Sequence, residues 1–123
     1  MASRDPKNLS AEMYFRWSEW DKVMKSNGID YILISTLRTK LEQESLYAQG
    51  RTKPGRIVTW TLNSKHLTGE AFDFVIMNNG KCDWSMSNRE AWDTAVEIGK
   101  CLGLSQVVDS KGRIKEYGHL QLG

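Results

Sequence analysis

The chain has 123 residues, 40% of them apolar, with five Trp, four Tyr and three Phe, which fits one domain with a real core and leaves little room for a second. Seventeen basic residues against fifteen acidic ones leave a net charge of +2. The basic residues are scattered, and the longest cationic stretch, Arg51 to Arg56, is broken by Pro54 and Gly55. A nucleic-acid partner is therefore not expected.

The segment Met1 to Lys7 is polar and lacks the apolar core of a signal peptide. The longest apolar run, Tyr31 to Ile34, is far too short to cross a bilayer, so no membrane insertion is expected. Cys82 and Cys101 have no metal-type spacing and read as free thiols, Cys101 on the apolar side of a helix.

Ser10 caps the first predicted helix, with Glu12 in its first turn. Met13, Trp17, Trp20 and Met24 recur at helical spacing, and Asn27-Gly28 supplies the stop. Ile29 to Thr36 is rich in β-branched residues and reads as a strand, with Arg38 just beyond its end. A short helix is expected from Leu41 to Gln49, ended by Gly50. Pro54-Gly55 marks a turn, and Ile57 to Thr61 a short strand. Asn63 to His66 reads as loop, and Glu70 to Ile76 as a strand closed by Asn78-Asn79-Gly80.

Ser87-Asn-Arg-Glu90 matches a capping box. The helix it opens is expected to bury Ala91, Ala95, Ile98 and Leu102 and to end at Gly103. Val107-Val108 and Tyr117 to Leu122 are further strand candidates, with a turn over Ser110 to Gly112. Helices and strands mix without repeats or linkers. The reading is a single α+β domain over 1–123, with helices packed on a central, mostly antiparallel sheet.

The chain has two histidines, His66 and His119. His66 stands in Ser64-Lys-His-Leu-Thr-Gly-Glu-Ala-Phe-Asp73, where Gly69 lets the backbone turn before the strand. Side chains alternate along a strand, so Asp73 shares a face with Ala71 and Val75, while Phe72 and Phe74 take the other. A carboxylate among apolar strand residues is costly to bury unless a cation compensates it. By the same alternation His119 and Gln121 face one way, and Leu120 and Leu122 the other.

Two imidazoles and a carboxylate make three ligands of an open zinc site, with the fourth position left for water. Such a metal acidifies the water and polarises a carbonyl. A further acid must then carry the proton to the leaving group, and Glu116, three residues before His119, suits that role. Arg38 suits a developing oxyanion or a substrate carboxylate. On spacing alone, H-x6-D followed by E-x-x-H is less diagnostic than HExxH. Structural histidines, a turn aspartate, a solvated Glu116 and a surface ion pair at Arg38 remain open alternatives. Trp17 and Trp20 read as core; Trp60 and Trp84, beside turns flanking the site, are placed to stack on substrate but read as structural by default.

Taken in order, these segments resemble the zinc D-Ala-D-Ala carboxypeptidase and L-alanyl-D-glutamate endopeptidase family, and most of all its phage endolysins. The resemblance is carried by Ser64-x-His66-x-x-Gly69-x-Ala71-x-Asp73 and Glu116-x-x-His119. It extends through Arg38-Thr39, Leu46 to Thr52, Pro54-Gly55, Val58-Thr59 and Asn79-Gly-Lys-x-Asp-Trp84.

The resemblance implies zinc at His66, Asp73 and His119, and a general base at Glu116. It implies a substrate- and transition-state-stabilising role for Arg38, with Ser64 and Gln43 on the substrate. The implied activity is hydrolysis of peptidoglycan stem peptides at the L-alanyl-D-glutamate bond, for host lysis. A D-alanyl-D-alanine carboxypeptidase of the same family is the first alternative. A non-catalytic zinc-dependent wall-binding module and a metal-dependent nuclease are the others.

A monomer is expected, made in the host cytoplasm without a signal peptide and acting on the wall after release through a membrane hole. Many relatives carry a Gly-Gly-x-Trp block before the final acid and histidine. Gln106 to Lys115 has nothing like it, which implies a reduced cleft wall there. Without room for a wall-binding domain, the chain resembles endolysins aimed at Gram-negative hosts.

Overall fold

The computed structural model describes residues 3–52, 54–56, 65–107 and 117–123. Helix α1 spans Ala11–Ser26, and its cap is the expected one: the Met13 amide donates to Ser10 Oγ at 3.2 Å. It buries Met13, Trp20 and Met24 along one stripe, with Trp17 packed at the edge of the core. Strand β1 (Tyr31–Ser35) follows, and then helix α2 (Lys40–Ala48). Thr39 and Glu42 cap α2 reciprocally, each side chain accepting from the other's amide.

After a 3-10 turn over Lys65–Thr68 come β2 (Ala71–Asn78), β3 (Lys81–Cys82), helix α3 (Arg89–Cys101), β4 (Leu104–Ser105) and β5 (His119–Leu122). The strands run in the order β1-β2-β5-β4, with β3 on β2, and every pairing among the described residues is antiparallel. The α+β architecture is the expected one.

Strand β2 is the centre of the molecule. Phe72 and Phe74 lie 5.0 Å, centre to centre, from the Trp20 ring, and Phe74 lies 5.6 Å from Trp92 of α3. Each such fully buried apolar side chain contributes about 1.5–3 kcal/mol relative to exposure. The Trp20 indole N–H donates to the Ala95 carbonyl at 2.9 Å, so this large ring is buried without an orphaned donor.

Several local expectations are corrected. The cap of α3 is Asn88 and not Ser87, because the Ser87 hydroxyl is drawn away to Asp83. The buried face of α3 is Ala91, Trp92, Ala95, Val96 and Gly99, while Ile98 and Leu102 are only partly buried. Gly99 is needed there, since a Cβ would stand 2.8 Å from Leu120 Cδ1. Cys101 is exposed, two residues past Gly99 and so turned away from that face, and both cysteines are free thiols. β4 forms at Leu104–Ser105, and Val107 lies outside any strand. The expected strand over 57–61, Trp60, Val108 and the turn over 110–112 lie outside the described residues. No helix among those described is long and apolar enough to cross a membrane.

Candidate metal centre

Sheet register brings the site together. Asp73 pairs directly with His119 across β2 and β5, and with Ser35 across β2 and β1. Side chains of directly paired residues stand on the same face, so the pairing alone puts the carboxylate against the imidazole. On β1 the register slips by one residue between Leu33 and Ser35, and this bulge turns Ile34 into the cleft beside the site.

His66 arrives on the 3-10 turn. Gly69 makes the return possible at φ +71°, and a Cβ there would stand 2.8 Å from the Ser10 amide nitrogen, which donates to the Gly69 carbonyl. Gly118 permits a close backbone approach before His119. A Cβ at Gly118 would fall 2.4 Å from the Phe74 carbonyl oxygen, while the Phe74 amide donates to the Gly118 carbonyl at 2.8 Å.

The result is a tight group. His66 Nε2 lies 3.1 Å and His119 Nδ1 2.8 Å from the same oxygen, Asp73 Oδ1. The two rings are edge-on, 5.0 Å between centres. Both imidazoles are buried and the carboxylate half-buried.

The other nitrogen of each ring is committed elsewhere. His66 Nδ1–H donates to the Thr36 carbonyl at 2.7 Å, and His119 Nε2–H donates to Gln121 Oε1 at 2.9 Å. Each hydrogen bond selects the tautomer that turns a lone pair toward Asp73, which is the outer support a metal-ligating histidine needs. Two lone pairs and a carboxylate crowded this closely require a proton or a cation among them. One donor atom from each of His66, Asp73 and His119 falls within 4.8 Å of the others, a set that can hold a divalent ion.

Charge around Asp73 is biased toward the anion. Burial pushes the Asp73 carboxyl up, but where the imidazoles carry the added protons, their hydrogen bonds and charge, from His119 and His66, outweigh burial and hold it below the usual carboxylate range. Arg38 adds to this field, with Nη2 3.6 Å from Asp73 Oδ2. The arginine is itself fixed from two sides. Its amide donates to the His66 carbonyl at 2.9 Å, and its Nη1 donates to Gln43 Oε1 at 2.6 Å. Gln43 is fully buried. Its observed contact is with Arg38, another of the residues expected on the substrate.

Glu116 and Ser64 lie outside the described residues. Sequence reasoning missed the supporting role of Gln121, although its alternation with His119 had put both side chains on one face.

A cleft of about 310 Å³ opens beside Asp73 and His119. Its wall includes Ile34, Trp84, Met86, Trp92 and Tyr117. Trp84, which the sequence reading treated as structural, is 67% exposed and belongs to this wall. One carboxylate organises the loop that carries it. Asp83 Oδ1 accepts from the Ser87 amide at 3.0 Å and the Ser87 hydroxyl at 2.8 Å. Asp83 Oδ2 accepts from the Asn88 amide at 2.8 Å and the Trp92 indole N–H at 3.2 Å. These bonds, led by the one from Asn88, lower the Asp83 carboxyl to about pH 2. Tyr117 is pinned to α3 through its hydroxyl on Asp93 and by Arg89, whose guanidinium carbon lies 4.7 Å from the ring centre.

No protein-family profile matches the chain. The peptidoglycan L-alanyl-D-glutamate endopeptidase CwlK of Bacillus subtilis is 38% identical over 106 residues, covering 79% of this chain and 63% of that protein. The L-alanyl-D-glutamate peptidase of Listeria phage A118 is 30% identical over 117 residues, covering 95% of this chain and 37% of that protein. The chain thus spans less than two thirds of the length of these curated relatives.

Among solved structures, the Serratia marcescens L-Ala D-Glu endopeptidase ChiX matches with a TM-score of 0.69 at 18% identity, over 100% of this chain and 89% of that one. The vancomycin-resistance D,D-pentapeptidase VanY in complex with Zn(II) matches with a TM-score of 0.65 at 15% identity, over 93% and 72%. At these identities the structural matches establish a shared fold. The curated relatives carry the resemblance at the level of sequence.

Proposed function

We propose, for a chain that is by sequence and fold a relative of the peptidoglycan L-alanyl-D-glutamate endopeptidases, a zinc peptidase that cleaves stem peptides at the L-alanyl-D-glutamate bond. The observation that carries the reading is the convergence of His66 Nε2, His119 Nδ1 and Asp73 Oδ1, with the far nitrogen of each ring already tied to an oxygen. Zinc held by these three side chains would supply Lewis acidity, polarising the scissile carbonyl and acidifying a water.

The rest falls to the protein. Arg38, held by Gln43 and by the turn that carries His66, places a permanent cation beside Asp73 to stabilise the oxyanion or to hold a substrate carboxylate. Glu116 takes the water's proton and returns it to the leaving amine, a role that rests on its spacing from His119 and on the family resemblance. Ser64 lines the substrate cleft on the same resemblance. The catalytic unit is the domain over 1–123, acting as a monomer on the cell wall after release from the host cytoplasm; a peptidase of a phage among its relatives fits action on a host wall.

Purified sacculi digested with the zinc-loaded protein test this directly. New L-alanine carboxyl termini and D-glutamate amino termini are expected. Release of free D-alanine alone would overturn the assignment in favour of the carboxypeptidase reading, which the fold shared with VanY also accommodates. Glu116→Gln is expected to keep its zinc while losing about 10²–10⁴-fold in activity, the usual worth of a general acid–base. Undiminished activity in that variant would remove Glu116 from the mechanism.

A further inference from the structure

We propose that Trp84 is a stacking platform for the muramic acid ring of a stem peptide still joined to its glycan, so that the protein prefers glycan-borne peptides to free ones. The inference deepens the peptidase reading above and rests on it for the identity of the substrate. It starts from an anomaly: a tryptophan 67% exposed that nevertheless lines the same cleft as Asp73 and His119. A large apolar ring left open beside a candidate reaction centre is more informative than one left open elsewhere.

The loop beneath it is built for position. Five donors converge on the Asp83 carboxylate, the Ser85 hydroxyl the most distant at 3.5 Å, and the Met86 amide closes a turn onto the Asp83 carbonyl at 3.0 Å. Met86 itself is held at φ +57°, a region a methionine enters only when its surroundings dictate it. The indole is thus presented on a fixed base, as a recognition surface requires.

Charge decides which part of the substrate lies there. Ile34, Trp84, Met86, Trp92 and Tyr117 carry no charge, and the ionisable groups lining the cleft, among the described residues, are Asp73, His119 and the Tyr117 phenol. Arg38 approaches Asp73 at Oδ2, whereas both imidazoles approach Oδ1. A stem peptide has the matching asymmetry. Beyond the scissile bond on the D-glutamate side it carries carboxylates. On the L-alanine side it carries a methyl group, a lactyl ether and then a pyranose ring with apolar C–H faces. The carboxylates suit Arg38, and the C–H faces suit an uncharged aromatic wall.

Reach agrees. One alanine and one lactyl unit separate the scissile carbonyl from the sugar, about 7 Å at the span of an extended chain. That keeps the ring near the metal-facing groups, in the neighbourhood where the cleft places Trp84.

The test compares kcat/KM on a muramoyl-linked stem peptide and on the same peptide without the sugar, for the wild type, Trp84→Ala and Trp84→Phe. The wild type is expected to favour the sugar-bearing peptide by about tenfold, a typical worth for one stacked ring. Trp84→Ala is expected to erase that preference by losing about tenfold more on the sugar-bearing substrate than on the free one. Trp84→Phe should recover most of it. Equal losses on both substrates, or a wild type without preference, would overturn the proposal.

A binding measurement separates this outcome from failure of the peptidase reading. The Trp84 indole NMR resonance, assigned by its disappearance in Trp84→Phe, is followed during titration with muramoyl-L-alanine and with an L-alanyl peptide lacking sugar. Shifts confined to the sugar-bearing compound support the platform even if neither peptide is cut. Absent or equal shifts refute it.

Discussion

The floor of the cleft and its aromatic wall are held by different devices. In the floor, Asp73 and His119 are partners in one antiparallel pair, and His66 is returned to them by a turn hydrogen-bonded to the Arg38 and Ser10 segments. Position there is a property of strand register, backed by a strand that buries Ala71, Phe72, Phe74, Val75 and Ile76. In the wall, Trp84 and Met86 sit on a non-repetitive loop whose shape comes from a single carboxylate, Asp83. The floor is therefore expected to tolerate side-chain changes without unfolding but to lose function when its donors change. The wall is expected to keep its chemistry but to lose its shape when one hub is altered.

The sharpest test of the floor is Asp73→Ala. Activity on sacculi should fall to background while the sheet survives, since Phe72, Phe74 and Val75 still bury the strand. Zinc at 100 times its Kd should raise wild-type stability by about 2.7 kcal/mol through mass action. That gain should vanish in the variant, as thermal denaturation with and without zinc will show. A variant stabilised as much as the wild type would break the metal assignment.

Next is Gly118→Ala. The added Cβ would collide with the Phe74 carbonyl at 2.4 Å, forcing β2 and β5 apart. Overpacking of this kind costs about 1–3 kcal/mol and occasionally more, which denaturant titration can read. Because the clash acts on the register that joins Asp73 to His119, zinc affinity should fall along with stability.

Gln121→Leu probes the support behind one ligand. Leucine cannot accept the His119 Nε2–H bond, so the ring loses its fixed tautomer and orientation. Losing such an outer partner typically weakens metal binding by about 10–100-fold, measurable by competition with a chelating dye. Gln121→Glu, which keeps the acceptor, should restore it. Unchanged affinity in Gln121→Leu would mean that register alone aims the imidazole.

The smallest effect is expected in the wall. Asp83→Asn removes a carboxylate that accepts five hydrogen bonds, and the melting temperature should drop modestly with the metal site intact. The folded-state value of about 2 lies below the roughly 3.9 of an unfolded aspartate. Its contribution is therefore fully present above about pH 4 and is lost as pH falls through 2. Wild type and variant should converge in stability over that acid window, and a difference constant from pH 6 to pH 2 would contradict the hub assignment.

Part of this was legible in the sequence because its causes are local. Ser10 capping α1, the Met13-Trp20-Met24 stripe and the turn at Gly69 depend on residues a few positions apart, and all stand as read. The alternation that set Asp73 apart from Phe72 and Phe74, and His119 apart from Leu120, follows from the strand period alone. What failed depended on competition between distant groups. Ser87 lost the cap to Asn88 because Asp83 drew its hydroxyl away, and no local pattern announces that contest. The bond from Arg38 to Gln43, by contrast, adds to the reading of Gln43 without contradicting it, and it depends on how α2 packs.

By itself, then, the order of residues determined which groups were chemically suited to a metal, on which side of each strand they stand, and which relatives share them. Tertiary structure alone decided that three donors separated by 7 and 46 positions meet on one oxygen of Asp73, and that an indole beside them stays open to solvent. Periodicity is a property of one segment. Register, and the assignment of a buried hydrogen bond to one partner over another, is a property of two segments at once, and only the packed molecule specifies it.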